Sequence, residues 1–278
     1  MQNPTTVIPF RTLAQQPRPA AAAGDTVRNL CERSSILMLQ GHPSRFWSEL
    51  ADALTADGHR VAKVHFCLAD RVFWGRRPAI AYRGRLSRFE SWIGDLMRRE
   101  GVTDVLYYAD RLPYHVAARA AAERLGVAPW AVEHGYLRPD WLTLEPGGMG
   151  AHSSLPRDWA GLETLARGRP RPDMRPRFGH SFATEAVNEV AFNLLMVAGR
   201  PLWPFYRSDK VHWPVFDYLA WLPHLAAERR HQREAAALAD ELAQRKQPFT
   251  LVAMQMATDY QIRASSAYGH LSEFVAEV

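Results

Sequence analysis

From Ser35 onward the chain alternates short apolar runs with amphipathic stretches. Ile36-Leu37-Met38-Leu39 is apolar and bounded by Ser and Gly, which predicts a buried strand. Phe46, Trp47, Leu50 and Leu54 then recur at helical spacing until Asp57-Gly58. Val61 to Phe66 has a period of two and predicts a second strand. Over Leu86 to Glu100, Phe89, Trp92, Ile93 and Leu96 share one helical face, ended by Gly101. Val102 to Tyr108 predicts a third strand. Pro113 to Leu125 is an Ala-rich helix with Pro in its first turn and Gly126 at its end. Val127 to Val132 predicts a fourth strand. Strands and helices alternating in this way imply a parallel sheet covered on both faces.

The pattern then breaks. Val132 to Pro156 reads VEHGYLRPDWLTLEPGGMGAHSSLP, with neither helical nor strand period. Three acidic residues, two histidines, an Arg, four glycines and three prolines fall in this stretch. Loops of that length are functional or disordered, and Trp141, Leu142 and Leu144 give this one apolar material with which to dock. It is read as an ordered active-site loop. Gly168 to Phe178 is a Pro/Arg-rich connector, and Thr184 to Val197 predicts a helix. Pro201 to Pro223 holds Trp203, Trp213 and Trp221 among prolines and reads as a docking segment for domain packing, with a sugar-stacking platform or lipid contact through Trp221 as alternatives. Leu225 to Lys246 predicts a charged helix, Phe249 to Met254 a strand, and Leu271 onward a further helix. The expected organisation is a flexible leader over 1–33, a Rossmann-like N-terminal domain over 34–165, a helical, Trp-rich connecting region over 166–248, and over 249–278 the beginning of a second α/β domain that is mostly absent.

Composition narrows the class. Of 278 residues, 47% are hydrophobic and 23% charged, ordinary for a globular protein. No apolar run approaches the ~20 residues that span a bilayer, and the N-terminus lacks the apolar core of a secretory signal. Cys31 and Cys67 form neither a disulfide framework nor a metal site, and fit reduced thiols in the cytoplasm. Lys and Arg number 34 against 29 Asp and Glu, a net charge of +5. That excess is too small and scattered for a nucleic-acid footprint. The predominance of Arg suits bidentate recognition of phosphate or carboxylate, so an acidic substrate or an anionic membrane surface fits. G-x-G-x-x-G, Walker, H-E-x-x-H, G-x-S-x-G and D-x-D motifs are absent from the sequence, and neither a metal nor a cofactor is suggested.

In open α/β sheets ligands bind beyond the carboxyl ends of the strands. Four polar clusters fall at such ends: Gln40-Gly41-His42; Asp110-Arg111 with Tyr114-His115; Glu133-His134-Gly135; and Gln255 with Asp259. Glu133 is the candidate general base, because a partly desolvated carboxylate can have its pKa raised toward working pH. Gly135 beside it permits close backbone approach to a ligand. The structural alternatives for Glu133 are an ion pair with Arg138 or a helix cap. Asp259, in QMATDYQIR, could act as a nucleophile toward an anomeric carbon, with Gln255, Gln261 and Arg263 as substrate-binding support; its structural alternative is the N-cap of the final helix. His115 serves a structural hydrogen bond or a ligand, and His152 is either an exposed loop residue or a ligand contact.

QGHPSRFW, KVHFCLADRVFW, YRGRL, YYADRLPYH, EHGYLRPDWLTLEPGG, HSSLPRD and QMATDYQIR occur in that order. Together they resemble the capsule polysaccharide biosynthesis/export proteins of the KpsS/LipB type, from about Leu39 to the C-terminus. The resemblance implies a two-domain GT-B-like fold. It implies a retaining β-Kdo transferase that takes Kdo from CMP-β-Kdo and builds a poly-Kdo linker on a lysophosphatidylglycerol-type lipid at the cytoplasmic face of the inner membrane. Capsule-assembly proteins there are implied partners. Glu133 matches the first acidic position of the family's acidic-acidic-Gly motif and would be the acid/base residue; His134 stands where a second acid is usual. Asp259 matches the aspartate of a Q-x-x-x-D-S-Q-I string and would be the nucleophile, with Tyr260 in place of Ser. Gly41, Asp110, Arg111, His115, His134, Gly135, Arg138 and His152 are the further substrate-binding candidates. The family's Lys-x-His-Pro motif for the CMP phosphate is not reached, so activity of this chain alone is expected to be poor. A non-catalytic remnant acting as a binding module is the competing reading, and a UDP-sugar enzyme such as an epimerase a third.

Overall fold

A computed structural model describes residues 33–135, 141–171, 173–175, 181–208, 210, 213–245, 248–254, 259, 266–268 and 271–277. Residues 1–32 of the leader lie outside the described residues. So do Arg138, Gln255, Gln261 and Arg263 among the candidate site residues.

Among the described residues there are six strands: β1 (Ser35–Met38), β2 (Arg60–His65), β3 (Ile80–Ala81), β4 (Asp104–Tyr108), β5 (Ala128–His134) and β6 (Leu142–Pro146). They form one sheet in the order β3-β2-β1-β4-β5-β6. Strands β1 to β5 run parallel, and β6 closes the edge antiparallel to β5, with Glu133 opposite Thr143 and His134 opposite Leu142. The helices of this part are α1 (Phe46–Ala56), α2 (Leu68–Trp74), α3 (Phe89–Glu100) and α4 (Pro113–Leu125). Strand alternation assigns the two faces. Leu37, Leu39, Val64, Phe66, Val105, Tyr107 and Ala131 meet α3 and α4 in one core, while Ile36, Met38, Leu106 and Val132 meet Trp47 and Ala51 of α1 in a second. Within the first core Phe89 is fully buried against Phe66, Tyr82, Trp92 and Tyr114.

Helix ends follow the sequence signals. Pro113 opens α4, and Gly101 and Gly126 close α3 and α4 in the left-handed conformation. Beyond the sheet come α5 (Trp159–Ala166), α6 (Phe182–Ala198) and the 31-residue α7 (Pro214–Gln244). The turn after α6 docks on the sheet's carboxyl edge. Trp203 and Tyr206 are buried there, and the Tyr206 hydroxyl donates to Gln40 Oε1 at 3.1 Å.

Three expectations are corrected. The stretch from Val132 to Pro156 is not loop throughout: β5 runs on through Glu133 and His134, and β6 occupies its middle. Its signal was hidden because Leu142 and Leu144 of this edge strand face outward and are about half exposed. Pro201 to Pro223 is not wholly irregular, since Pro214 starts α7 and Pro223 lies inside it. Phe249 to Met254 forms no strand; Phe249 and Leu251 are exposed. An apolar run without a neighbouring strand leaves its backbone groups unpaired, and sequence period alone does not supply the partner.

By chain contacts, Arg33–Val252 is one compact unit and the residues from Ala253 belong to another. In the second, the described residues include Asp259 and α8 (Leu271–Glu277), where the Tyr268 hydroxyl donates to Glu277 at 2.8 Å.

Gly135 is the pivot of the β5–β6 connection. Its amide donates to Trp141 O at 2.7 Å, and a Cβ there would lie 2.5 Å from that oxygen and 2.6 Å from Trp141 Cβ. Because the obstacle includes backbone, Gly135→Ala is expected to destabilise the unit by about 1–3 kcal/mol, the range for overpacked sites. Urea denaturation with an unchanged m-value would measure it, and wild-type stability in the variant would contradict the packing.

Candidate functional site

Strand order reverses at β1, which has β2 on one side and β4 on the other. The crevice beyond the carboxyl ends of β1 and β4 is therefore the topological switch point, where open α/β sheets place ligands. Three rings converge there. His42, just past β1, lies edge-on to His134 of β5 and to Tyr108 of β4, with ring centroids 4.9 and 5.2 Å apart; Tyr108 and His134 are 5.9 Å apart. His42 Nδ1 is 3.3 Å from Ser44 Oγ. Burial and the neighbouring His134 lower the His42 pKa, with Glu189 and Glu185 of α6 opposing, so the imidazole is biased toward its neutral form. Burial would raise the Glu189 carboxyl, but Lys210, 2.9 Å away, and Asn193 outweigh it and hold it below the usual range.

The exit from β4 is strained. Ala109 has φ of 59°, a left-handed conformation that costs a non-glycine residue about 1–2 kcal/mol. It is pinned on two sides: its amide donates to Val132 O at 2.9 Å, and its carbonyl lies 2.8 Å from His115 Nδ1. The kink directs the chain from Tyr108 at the crevice to Asp110, which is 1% exposed and accepts from the Met149 amide at 3.0 Å. Asp110 thus ties the Gly147-Gly148-Met149 turn to the end of β4. Tyr107 and Arg119 secure the same turn through Gly147 O, each at 3.2 Å. A Cβ on Gly148 would meet Asp110 Oδ2 at 2.8 Å and His152 Cβ at 2.9 Å, so only glycine lets the turn close.

The candidates therefore divide. Gly41, His134 and Gly135 are at the crevice or its rim. Arg111 is partly exposed at the β4–α4 turn, and His152 is half-buried in the turn held by Asp110. Asp110 and His115 lie beneath the surface and act on backbone. Glu133 is half-buried on β5, and alternation gives it the face of Ala131, opposite to that of His134. Asp259 is half-buried in the second compact unit. Residues the sequence reading did not single out are Tyr108, Ala109, Ser44, Glu189 and Lys63. Lys63 could have been found: it takes an inward position of β2, where a charged side chain is rare. Ala109 carries no sequence signal of its left-handed turn.

His115 provides a pH test. Its side chain is fully buried, and burial lowers its pKa to about 3 from 6.5. The unfolded chain therefore takes up this proton first as pH falls. His115 costs nothing above about pH 6.5, and about 1.4 kcal/mol of stability per pH unit between about 6.5 and 3. Thermal melts from neutral to mildly acidic pH should show the midpoint dropping, less steeply in His115→Asn; equal slopes would refute the assignment.

Together these features define an α/β protein with a mostly parallel sheet and a polar, aromatic crevice at its switch point. The chain belongs to the capsule polysaccharide biosynthesis protein family, whose model matches residues 103–278. It is 29% identical over 265 residues to the capsule polysaccharide export protein KpsS of Escherichia coli, covering 92% of this chain and 65% of that protein. It is 26% identical over 261 residues to the capsule polysaccharide modification protein LipB of Neisseria meningitidis serogroup A, covering 91% and 62%. The chain thus spans a little under two thirds of the length of these relatives. A solved structure, the Bordetella bronchiseptica enzyme WbmH in complex with NAD+, aligns over 34% of this chain and 37% of its own at 13% identity and a TM-score of 0.28, too low to inform fold or ligand. Among the described residues no helix is long and apolar enough to cross a membrane, and no group of three or more His, Cys, Asp or Glu could hold a metal ion.

Proposed function

We propose that this chain carries the acid/base half of a retaining β-Kdo transferase. It would move Kdo from CMP-Kdo to a (lyso)phosphatidylglycerol-type lipid during capsule assembly, at the cytoplasmic face of the inner membrane. The observation that carries this reading is the position of the match to the acidic-acidic-Gly motif: Glu133 and His134 end β5 and Gly135 follows directly, two strands from the switch point at β1. A half-buried carboxylate at a strand terminus suits proton transfer to and from a sugar oxygen. Asp259 takes the role of nucleophile in this reading, forming the glycosyl-enzyme bond that retention requires. The Arg-rich composition suits an acidic donor and a lipid phosphate.

The test is calorimetric titration of the 278-residue chain with CMP, with UMP as control, followed by mass spectrometry of products from CMP-Kdo and a lysophosphatidylglycerol acceptor. Weak but CMP-selective binding is expected, with formation of a product heavier by one Kdo well below that of a full-length relative. Turnover of a UDP-sugar without lipid would replace this reading with a nucleotide-sugar enzyme. Neither CMP binding nor product from a folded chain would favour the non-catalytic binding module.

A further inference from the structure

The turn after α6 presents apolar side chains to solvent. Leu202, Phe205 and Trp213 are about half exposed, and Phe216 at the start of α7 is 69% exposed. In sequence they flank Trp203 and Tyr206, the buried anchors of the turn. Exposed apolar patches of this kind mark interaction surfaces.

Arginines gather on the same turn. The loop after β3 reads YRGRLSR from Tyr82 to Arg88, with three arginines and no acid. Arg83 lies 5.2 Å from the ring centre of Trp203, Arg85 4.8 Å from that of Phe205, and Arg200 5.6 Å from that of Trp213. Arg207 is exposed, and its amide donates to the Tyr114 hydroxyl at 3.2 Å. Among the described residues none of these four guanidiniums has a carboxylate oxygen within 4.0 Å. Arginines at the opposite edge of the sheet are paired instead, Arg98 with Asp95 at 2.7 Å and Arg99 with Glu100 at 3.1 Å.

We propose that this rim is a docking surface for an anionic phospholipid membrane. Leu202, Phe205 and Trp213 would enter the headgroup layer, and Arg83, Arg85 and Arg207 would meet lipid phosphates. The proposal deepens the transferase reading and rests on it for the lipid acceptor. A guanidinium held over an aromatic ring keeps its N–H donors for an oxyanion. A soluble acidic ligand would use the arginines and leave the apolar side chains in water. A bilayer surface uses both, because apolar groups reach the acyl boundary while basic groups stay at the phosphates. Tryptophan suits that layer, being an apolar ring with one polar edge. The position also serves the crevice. The Tyr206 hydroxyl holds Gln40, the residue before Gly41 and His42, so an acceptor in the bilayer would arrive beside the switch point.

The experiment is co-sedimentation of the 278-residue chain with vesicles of phosphatidylcholine alone or mixed with phosphatidylglycerol. Binding is expected to the mixed vesicles only, weakening as salt is raised. Arg83→Gln and Arg85→Gln should each reduce it about fivefold, the contribution of one basic residue at an anionic surface. Both side chains are exposed, so the fold should survive their loss. Trp213→Ala should weaken binding several-fold and leave its salt dependence unchanged. Arg98→Gln and Arg99→Gln remove the same charge from the opposite edge and should leave binding intact. A chain that ignores anionic vesicles, an equal loss from both pairs of arginines, or self-association that Trp213→Ala abolishes in place of vesicle binding would overturn the proposal. Vesicle binding without CMP binding would keep the surface and remove the transferase reading. Kdo transfer to a detergent-dispersed acceptor without vesicle binding would remove the surface alone.

Discussion

Glu133→Gln is expected to lower the rate of Kdo transfer by about 10²–10⁴-fold, the usual contribution of a positioned acid or base. The substitution keeps the size of the side chain and its capacity to accept a hydrogen bond. What it removes is the ability to give and take a proton. The β5–β6 pairing runs through backbone groups and should survive, with Glu133 still opposite Thr143. The loss should therefore appear in kcat with little change in CMP affinity. His134 gives the contrast, because it faces the other side of the sheet beside His42 and Tyr108. His134→Asn should act mainly on acceptor KM. A Glu133→Gln enzyme that retained most of its rate would leave Glu133 as a structural residue of the strand end.

Phe89→Ala should cost about 3–5 kcal/mol of stability, the range for truncating a fully buried aromatic side chain. Phe89 sits in the first turn of α3, and its ring meets Phe66 of the β2–α2 connection at 5.4 Å, Tyr82 at 4.9 Å and Tyr114 of α4 at 5.1 Å. These edge-to-face contacts join three segments well apart in sequence. The cavity would border Tyr114, which also stacks on Tyr206 at 5.8 Å and accepts from the Arg207 amide at 3.2 Å. Loosening should therefore reach the turn after α6. Guanidinium unfolding would measure the loss, and a cost near that of a surface substitution would show that the site collapses around the missing ring.

Much of the sheet was legible in the sequence. Ile36 to Leu39 and Val61 to Phe66 announced their strands, and Pro113 with Gly126 marked α4 to the residue. The first helix and α3 were visible through Phe46, Trp47, Leu50 and Leu54, and through Phe89, Trp92, Ile93 and Leu96. Other elements were invisible for stated reasons. The seven-residue α2 is too short to establish a period, β3 has two residues, and β6 turns its leucines outward. The candidate site was legible as residue types at strand ends. The strained turn at Ala109 was not, since no local sequence rule reserves it for alanine. Nor was the convergence of His42, Tyr108 and His134, which depends on three strands coming together across the switch point.

The placement of β1 between β2 and β4 has a kinetic consequence. β1 meets β2 after about 25 residues of intervening chain, as in Ser35 opposite Arg60, but Ile36 faces Asp104 of β4 across 68 positions. Closing the longer loop carries the larger entropy cost and should follow the shorter one. The crevice has no floor until that second closure, and no His42–His134 contact until β5 has joined β4. In refolding, a probe in the Phe66–Phe89 cluster should settle earlier than one between His42 and His134. The ligand-facing part of the molecule would then be the last of the sheet to mature, and a chain stalled in synthesis before Asp104 would present β1 with one edge unpaired.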